Sequence, residues 1–137
     1  MRIVADTNVI VSAIVFGGVP KEVLDLAAEG AYSFCFSTPI QAETERILEE
    51  KFGWSPEDFD LRLRDFWSWG IHVDAKASLS VIAEDPDDDR ILECAMAARA
   101  RVIVSGDRHL LRLGSFRSIL IQSPREFLDS KGWRTTE

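Results

Sequence analysis

The residues of this sequence best suited to catalysis are acidic and stand at the ends of predicted strands. Asp6 follows the short apolar run at residues 3–5, and Asp107 follows a second apolar run at residues 100–105. Such runs, rich in β-branched residues, are typical of buried parallel strands. Ligands of open α/β sheets bind at the carboxyl ends of the strands. We therefore expect Asp6 and Asp107 to share a site, although either could instead only form a turn or cap a helix.

A third acid, Glu43, lies on a predicted helix that starts near Pro39 and runs to about Phe52. It comes three residues after Ile40 and four before Ile47, so it shares a face with the apolar stripe of that helix. An acid on this face faces the protein interior or skirts its edge. The position makes Glu43 a candidate for the same site.

A fourth acid comes from the run at residues 84–89, which opens another predicted helix. Acids favour the first turn of a helix, so the run could serve only to start it. At about 100° per residue, however, Asp88 falls on the face of Ile91 and Leu92. Asp87, Asp89, Arg90 and Glu93 are predicted to point away from that face. An inward acid is costly unless it is paired or binds a metal, so Asp88 is the functional candidate, with Asp85 as a further candidate one turn earlier.

Together the four acids indicate a site for a hard metal ion. Carboxylate oxygens without Cys or His select Mg²⁺ or Mn²⁺, and such an ion could activate water for phosphodiester cleavage. His72 has no metal-ligating neighbour in the sequence and is expected to be structural or exposed. His109 is a weak general-base candidate because its neighbour Asp107 is assigned to the metal.

The charge distribution permits an anionic substrate despite a net charge of −7. Seven of the 23 acids lie in the candidate site stretches, and the remainder equal the 16 Lys and Arg in number. Arg90, Arg108 and Arg112 lie close to the acids and could form a basic rim that contacts a polyanion, with Arg90 on the exposed side of its helix. No apolar run approaches the roughly 20 residues of a membrane-spanning helix. Cys35 and Cys94 are isolated, as in a reduced, cytoplasmic protein.

The elements that must position these acids alternate along the chain. Five short strands separated by helices, including one predicted at residues 57–69, indicate a mostly parallel sheet covered on both faces. We expect one domain at residues 1–130 and a polar tail at residues 131–137, frayed from Trp133 onward.

The segments that carry the acids resemble the PIN-domain family, and in particular its VapC-like branch of toxin components from toxin–antitoxin systems. The resemblance rests on Val-Ala-Asp-Thr-Asn at 4–8, Ser-Thr-Pro at 37–39 with Glu43, Asp-Pro-Asp-Asp at 85–88 and Val-Ser-Gly-Asp at 104–107. It implies a single-domain, three-layer α/β/α fold whose parallel five-stranded sheet has the order 3-2-1-4-5. It also implies a Mg²⁺- or Mn²⁺-dependent ribonuclease that binds metal through Asp6, Glu43, Asp88 and Asp107.

The same resemblance implies supporting polar positions at Asn8 and Ser105, a homodimer and a cognate antitoxin. Two other functions stay open from the sequence. One is a PIN-fold module that binds RNA or protein with little catalysis. The other is a metal-dependent phosphatase, which is disfavoured because the second acid expected two residues after a nucleophilic Asp6 is replaced by Asn8.

Overall fold

A computed structural model describes residues 1–76, 86–131 and 133. The strands in these ranges are β1 (Arg2–Ala5), β2 (Ser33–Phe36), β3 (Ile71–His72), β4 (Val102–Val104), β5 (Ser115–Phe116) and β6 (Ile119–Gln122). The helices are α1 (Thr7–Val15), α2 (Gly18–Ala28), α3 (Thr38–Phe52), α4 (Pro56–Arg62), α5 (Arg64–Trp69), α6 (Pro86–Ala98), α7 (Arg108–Leu113) and α8 (Pro124–Ser130).

The strands form one sheet in the order β3-β2-β1-β4-β6-β5. The first five strands of that order pair in parallel, and they are the five predicted strands in the predicted order. Strand β1 is central, so the residue that follows it lies in the middle of the carboxyl edge of the sheet. The predicted α/β topology is confirmed, with one correction to the number of strands.

The additional strand is β5, a two-residue edge strand that pairs antiparallel with β6. Arg117 and Ser118 connect the two strands, and both have positive φ, 48° and 71°. Positive φ at both positions is the requirement of a type I′ hairpin loop, which usually selects Gly or Asn. The prediction of five strands was wrong here because the loop carries neither residue.

Burial of successive residues in β1 shows that both faces of the sheet are covered. Ile3, Val4 and Ala5 are each fully buried although neighbouring side chains on a strand point to opposite faces. This is the pattern of a parallel sheet between two helical layers. The rigid central strand thus fixes the position of the acid that follows it.

The region between α3 and β3 differs from prediction. The helix expected at residues 57–69 is two helices, α4 and α5, separated at the buried Leu63. Leu63 belongs to a second apolar cluster with Ile47, Leu48 and Trp54. Packing of Leu63 into this cluster accompanies the break between the two helices.

The last described residue of the chain packs against the core. Trp133, expected in a frayed tail, packs against Tyr32 with ring centroids 6.0 Å apart, so that expectation was wrong for this residue. Asp85 lies outside the described residues. Within the described ranges, every helix is too short or too polar to cross a membrane.

Candidate metal centre

The carboxyl ends of β1 and β4 bring two of the predicted acids together. The strands are neighbours, and Asp6 follows β1 while Asp107 comes three residues after the end of β4. The hydroxyl of Ser105 connects them: it donates a hydrogen bond to Asp6 Oδ2 and accepts one from the Asp107 backbone N–H at 2.9 Å. Ser105 is fully buried, so this link is shielded from water.

Asp6 is fixed by the helix that it begins. It is the N-cap of α1, and its Oδ1 accepts a hydrogen bond from Val9 N at 2.8 Å. Only 4% of the residue is exposed. Burial raises the pKa of Asp6 and the charge of Asp107 adds to the rise, while the bonds from Ser105 and Val9 oppose it. A cation at this carboxylate would offset the cost of its burial.

Asp107 is fixed in the same way at the start of α7. Its Oδ1 accepts hydrogen bonds from the backbone N–H groups of His109 at 2.8 Å and Leu110 at 3.1 Å. Burial acts to raise the pKa of Asp107, but a hydrogen bond shared with the Asp88 carboxyl and the bonds donated by the backbone N–H groups of Leu110 and His109 outweigh it, and the pKa is lowered. Asp107 therefore stays ionised more readily than Asp6.

Glu43 reaches the site from α3, as the helical spacing predicts. Its pKa is raised by burial and then by the negative charge and a hydrogen bond of Asp87, while a hydrogen bond with Thr7 opposes the rise. Glu43 thus shares its surroundings with the first turns of α1 and α6. A half-buried carboxylate next to another acid is a further position where a cation would be favourable.

The first turn of α6 supplies Asp88, which is 7% exposed. Asp87 is exposed, as predicted, yet it also lines the site cavity. Asp89 and Glu93 were predicted to point away from the buried face of the helix, yet both are buried, at 3% and 5% exposed, so this prediction was wrong. The prediction assumed one buried stripe, whereas α6 contacts both the sheet and α3 and so buries a wider surface.

The three arginines predicted at the rim occupy different positions. Arg90 is not on an exposed face, because its side chain is only 31% exposed and its Nε lies 2.8 Å from Oε1 of the buried Glu93. It lines a small cleft beside Glu43. Arg108 and Arg112 are exposed on α7, directly after Asp107.

His109, the general-base candidate of the sequence, lies beside two of the predicted acids. Its Nδ1 lies 3.9 Å from Asp88 Oδ2 and 3.8 Å from Asp107 Oδ1. Ligand atoms of these three residues all lie within 4.8 Å of one another. The donor set therefore includes an imidazole as well as carboxylates.

All four predicted acids line one cavity of about 60 Å³. Among the described residues, its lining is Asp6, Thr7, Asn8, Glu43, Asp87, Asp88, Ile91 and Asp107. That volume has room for an ion and a few water molecules rather than an organic cofactor. Clustered carboxylates and the buried Nδ1 of His109 fit a divalent cation, which would also relieve repulsion among the acids.

Thr7 and Asp87 were missed from the sequence, and His109 was predicted only as a weak general base, not as a neighbour of the metal-binding acids. The position of His109 near the acids has a signal in the sequence. A residue two positions after an N-cap aspartate lies in the first turn of the helix, so its side chain can lie close to that aspartate. The helical spacing places Asp87 off the apolar stripe and so predicts no role for it. A side chain at a helix end can nevertheless reach a cavity without being buried. Thr7 carried no signal beyond its place next to Asp6.

Comparison with known proteins identifies the family. Residues 2–109 match the PIN domain family, so the chain belongs to that family. A search of curated proteins found no match.

Among solved structures, the fold is similar to a chain in the crystal structure of VapBC2 from Rickettsia felis bound to a DNA fragment from their promoter. The TM-score is 0.65 at 18% sequence identity, and the similarity covers 90% of this chain and 98% of the other. At that identity the similarity supports the fold.

Proposed function

We propose that this PIN-domain protein is a Mg²⁺- or Mn²⁺-dependent endoribonuclease and the toxin component of a toxin–antitoxin pair. The observation that carries the proposal is the convergence of Asp6, Glu43, Asp88 and Asp107 on one cavity at the carboxyl edge of a parallel sheet. These four residues would hold the metal, with Asp85 as a further candidate ligand.

A bound divalent ion would supply Lewis acidity, lowering the pKa of a water molecule and stabilising charge on the phosphate. The residues of the chain contribute preorganisation. Ser105 and the backbone of α1 hold both oxygens of Asp6, and the backbone of α7 holds Asp107. Because these bonds exist before an ion binds, little reorganisation is needed when it does. Asn8 lines the cavity and is placed to orient water or substrate.

RNA needs positive charge outside the acid cavity, and Arg108 and Arg112 are suited to supply it. Both are exposed on the helix that Asp107 starts. Arg90 is a lesser contributor because it is paired with Glu93 and faces the cleft beside Glu43.

The rim is tested by changing Arg108 and Arg112 together to Glu. Binding of a single-stranded RNA in Ca²⁺, used to support binding without turnover, should weaken, and its logarithmic salt slope should flatten by roughly 0.7 for each phosphate that the variant no longer neutralises. The matched control changes Arg99 and Arg101 to Glu, since both are exposed near the amino end of β4, at the other edge of the sheet. Equal effects of the two double variants would show that the rim does not direct RNA.

A protein partner is proposed from the solved VapBC2 complex. A second cavity, of about 290 Å³, lies between α1, α2 and the α4–α5 region, and its lining includes the apolar residues Leu24, Phe66 and Trp69. We assign it to an apolar segment of the antitoxin. Co-expression with a small open reading frame next to the gene should yield a complex that Ala28→Glu, a change at an exposed residue of the cavity lining, prevents. The enzyme itself, expected to be a homodimer, should keep its oligomeric state in this variant.

Ribonuclease assays separate the proposed function from its alternatives. The protein should cleave structured RNA in Mg²⁺ or Mn²⁺, lose activity in EDTA and leave a phosphomonoester such as p-nitrophenyl phosphate intact. Phosphomonoester hydrolysis without RNA cleavage would indicate a phosphatase. RNA binding without cleavage in either metal would indicate a binding module.

A further inference from the structure

His109 lies against the proposed metal centre with a nitrogen atom that the fold leaves unused. Its Nδ1 is buried and makes no hydrogen bond to any described residue. The ring itself is 22% exposed, so it is held at the wall of the site and not in bulk solvent. A buried nitrogen without a partner costs free energy, which a ligand at that position would recover.

The distances around Nδ1 suit a shared ion better than a hydrogen bond. Asp88 Oδ2 and Asp107 Oδ1 lie 3.9 and 3.8 Å from it, beyond hydrogen-bond reach. Two ligands of one ion, each bound at about 2.0–2.1 Å, can be separated by up to about 4.2 Å. Both separations fall within that limit.

The backbone holds the imidazole in this place. His109 is the second residue of α7, and its N–H donates to Asp107 Oδ1 at 2.8 Å. The side chain therefore starts from a backbone position fixed by the same carboxylate that lies beside its ring. The Cα of His109 is therefore held next to the acids, within reach of its imidazole.

We propose that His109 Nδ1 is a ligand of the metal ion held by Asp88 and Asp107, and that this nitrogen makes the centre prefer Mn²⁺ to Mg²⁺. The inference rests on the proposed function, because it assumes that the acids bind a divalent ion. Mg²⁺ binds oxygen almost exclusively, whereas imidazole suits transition ions, and Mn²⁺ accepts both kinds of ligand. An all-carboxylate site would lack this basis for discrimination.

Electron spin-echo spectroscopy of the Mn²⁺-loaded protein tests the nitrogen ligand directly, with the metal alone as the probe. The chain has two histidines, so His72, which is exposed and bonded to Thr38, provides the matched control. Modulation from ¹⁴N should appear in the wild type and in His72→Gln and be absent from His109→Gln. Labelling the wild type with ¹⁵N-histidine should convert the ¹⁴N signal to a ¹⁵N signal, which tests the ligand without any substitution.

Calorimetric titration of the same proteins tests the preference. His109→Gln should weaken Mn²⁺ binding at least about tenfold and change Mg²⁺ binding much less. Tenfold is the smallest loss usually seen when a residue that only supports a metal ligand is removed, so loss of a ligand itself should cost at least as much. Bound Mn²⁺ without nitrogen modulation in the wild type would overturn the His109 assignment and leave the proposed function standing. Absence of Mn²⁺ binding to the wild type would overturn both.

Discussion

Replacing Ser105 with Ala should damage both the stability and the metal affinity of this protein. The hydroxyl makes two hydrogen bonds in a fully buried position, one to the carboxylate of Asp6 and one from the Asp107 N–H. A bond to a charged group contributes about 1.5–3 kcal/mol and a neutral one about 0.5–1.5 kcal/mol. The expected loss is therefore about 2–4.5 kcal/mol, or roughly 6–16 °C in Tm for a domain of this size.

The metal affinity should fall because the hydrogen bond from Ser105 holds Asp6 in place. The same bond lowers the pKa of Asp6 and so opposes the rise that burial causes. Loss of such a supporting bond typically weakens metal binding about 10- to 100-fold. Thermal unfolding in EDTA gives the first effect and calorimetric titration with Mn²⁺ the second. Ser105→Thr, which keeps the hydroxyl, should restore most of the affinity.

Ser37→Ala is the matched control for this substitution. Ser37 is also fully buried and follows the neighbouring strand β2, but its hydroxyl lies beside the Cys94 thiol, a weak partner. It should cost less than about 1 kcal/mol and leave Mn²⁺ affinity unchanged. If Ser105→Ala proves no more harmful than Ser37→Ala in either measurement, the role given to Ser105 is wrong.

Three further outcomes are expected. Gly70→Ala should lower the free energy of unfolding in urea by about 1–3 kcal/mol, because the added Cβ would lie 2.9 Å from a ring carbon of Phe36. Gly106→Ala is the control and should be near neutral, since its Cβ would meet nothing within 4 Å. Equal losses in the two variants would contradict this packing argument. Burial raises the pKa of Asp6, so in EDTA this residue contributes most to the free energy of unfolding below about pH 4, and the contribution is lost as the pH rises through the raised pKa. Asp6→Asn should therefore flatten the fall of stability with rising pH. An unchanged slope in this variant would show that Asp6 is not the source of the fall. Asp88→Ala should abolish RNA cleavage, because Asp88 lines the cavity. Asp89 is buried but is not among the lining residues, so Asp89→Ala should lower Tm and keep most of the activity per folded molecule. The reverse order of the two effects would assign the site to Asp89 instead of Asp88.

The sheet and the two acids at its edge could be predicted because each is local in sequence. An apolar run followed by a polar turn specifies a buried strand and places Asp6 and Asp107 at its carboxyl end. Glu43 was equally predictable from the spacing of Ile40 and Ile47. In each case one periodicity determines one orientation.

The remaining features depend on tertiary contacts that periodicity does not contain. Asp89 and Glu93 are buried because α6 contacts both the sheet and α3. The ring of His109 faces the acids because α7 begins at Asp107. The β5–β6 hairpin places Arg117 at positive φ without the residue types that usually announce such a turn.

The central claim, that the convergent acids form a divalent-metal centre for RNA cleavage, is tested most directly by comparing metal binding with activity. Mn²⁺ binding and the single-turnover rate of RNA cleavage should be measured over the same concentrations for the wild type and Asp6→Asn, a change that keeps an acceptor for Val9 N. We predict that the two wild-type curves share a midpoint and that Asp6→Asn folds but loses both binding and cleavage. Cleavage that persists in EDTA, or at the wild-type rate in Asp6→Asn, would contradict the assignment of this site.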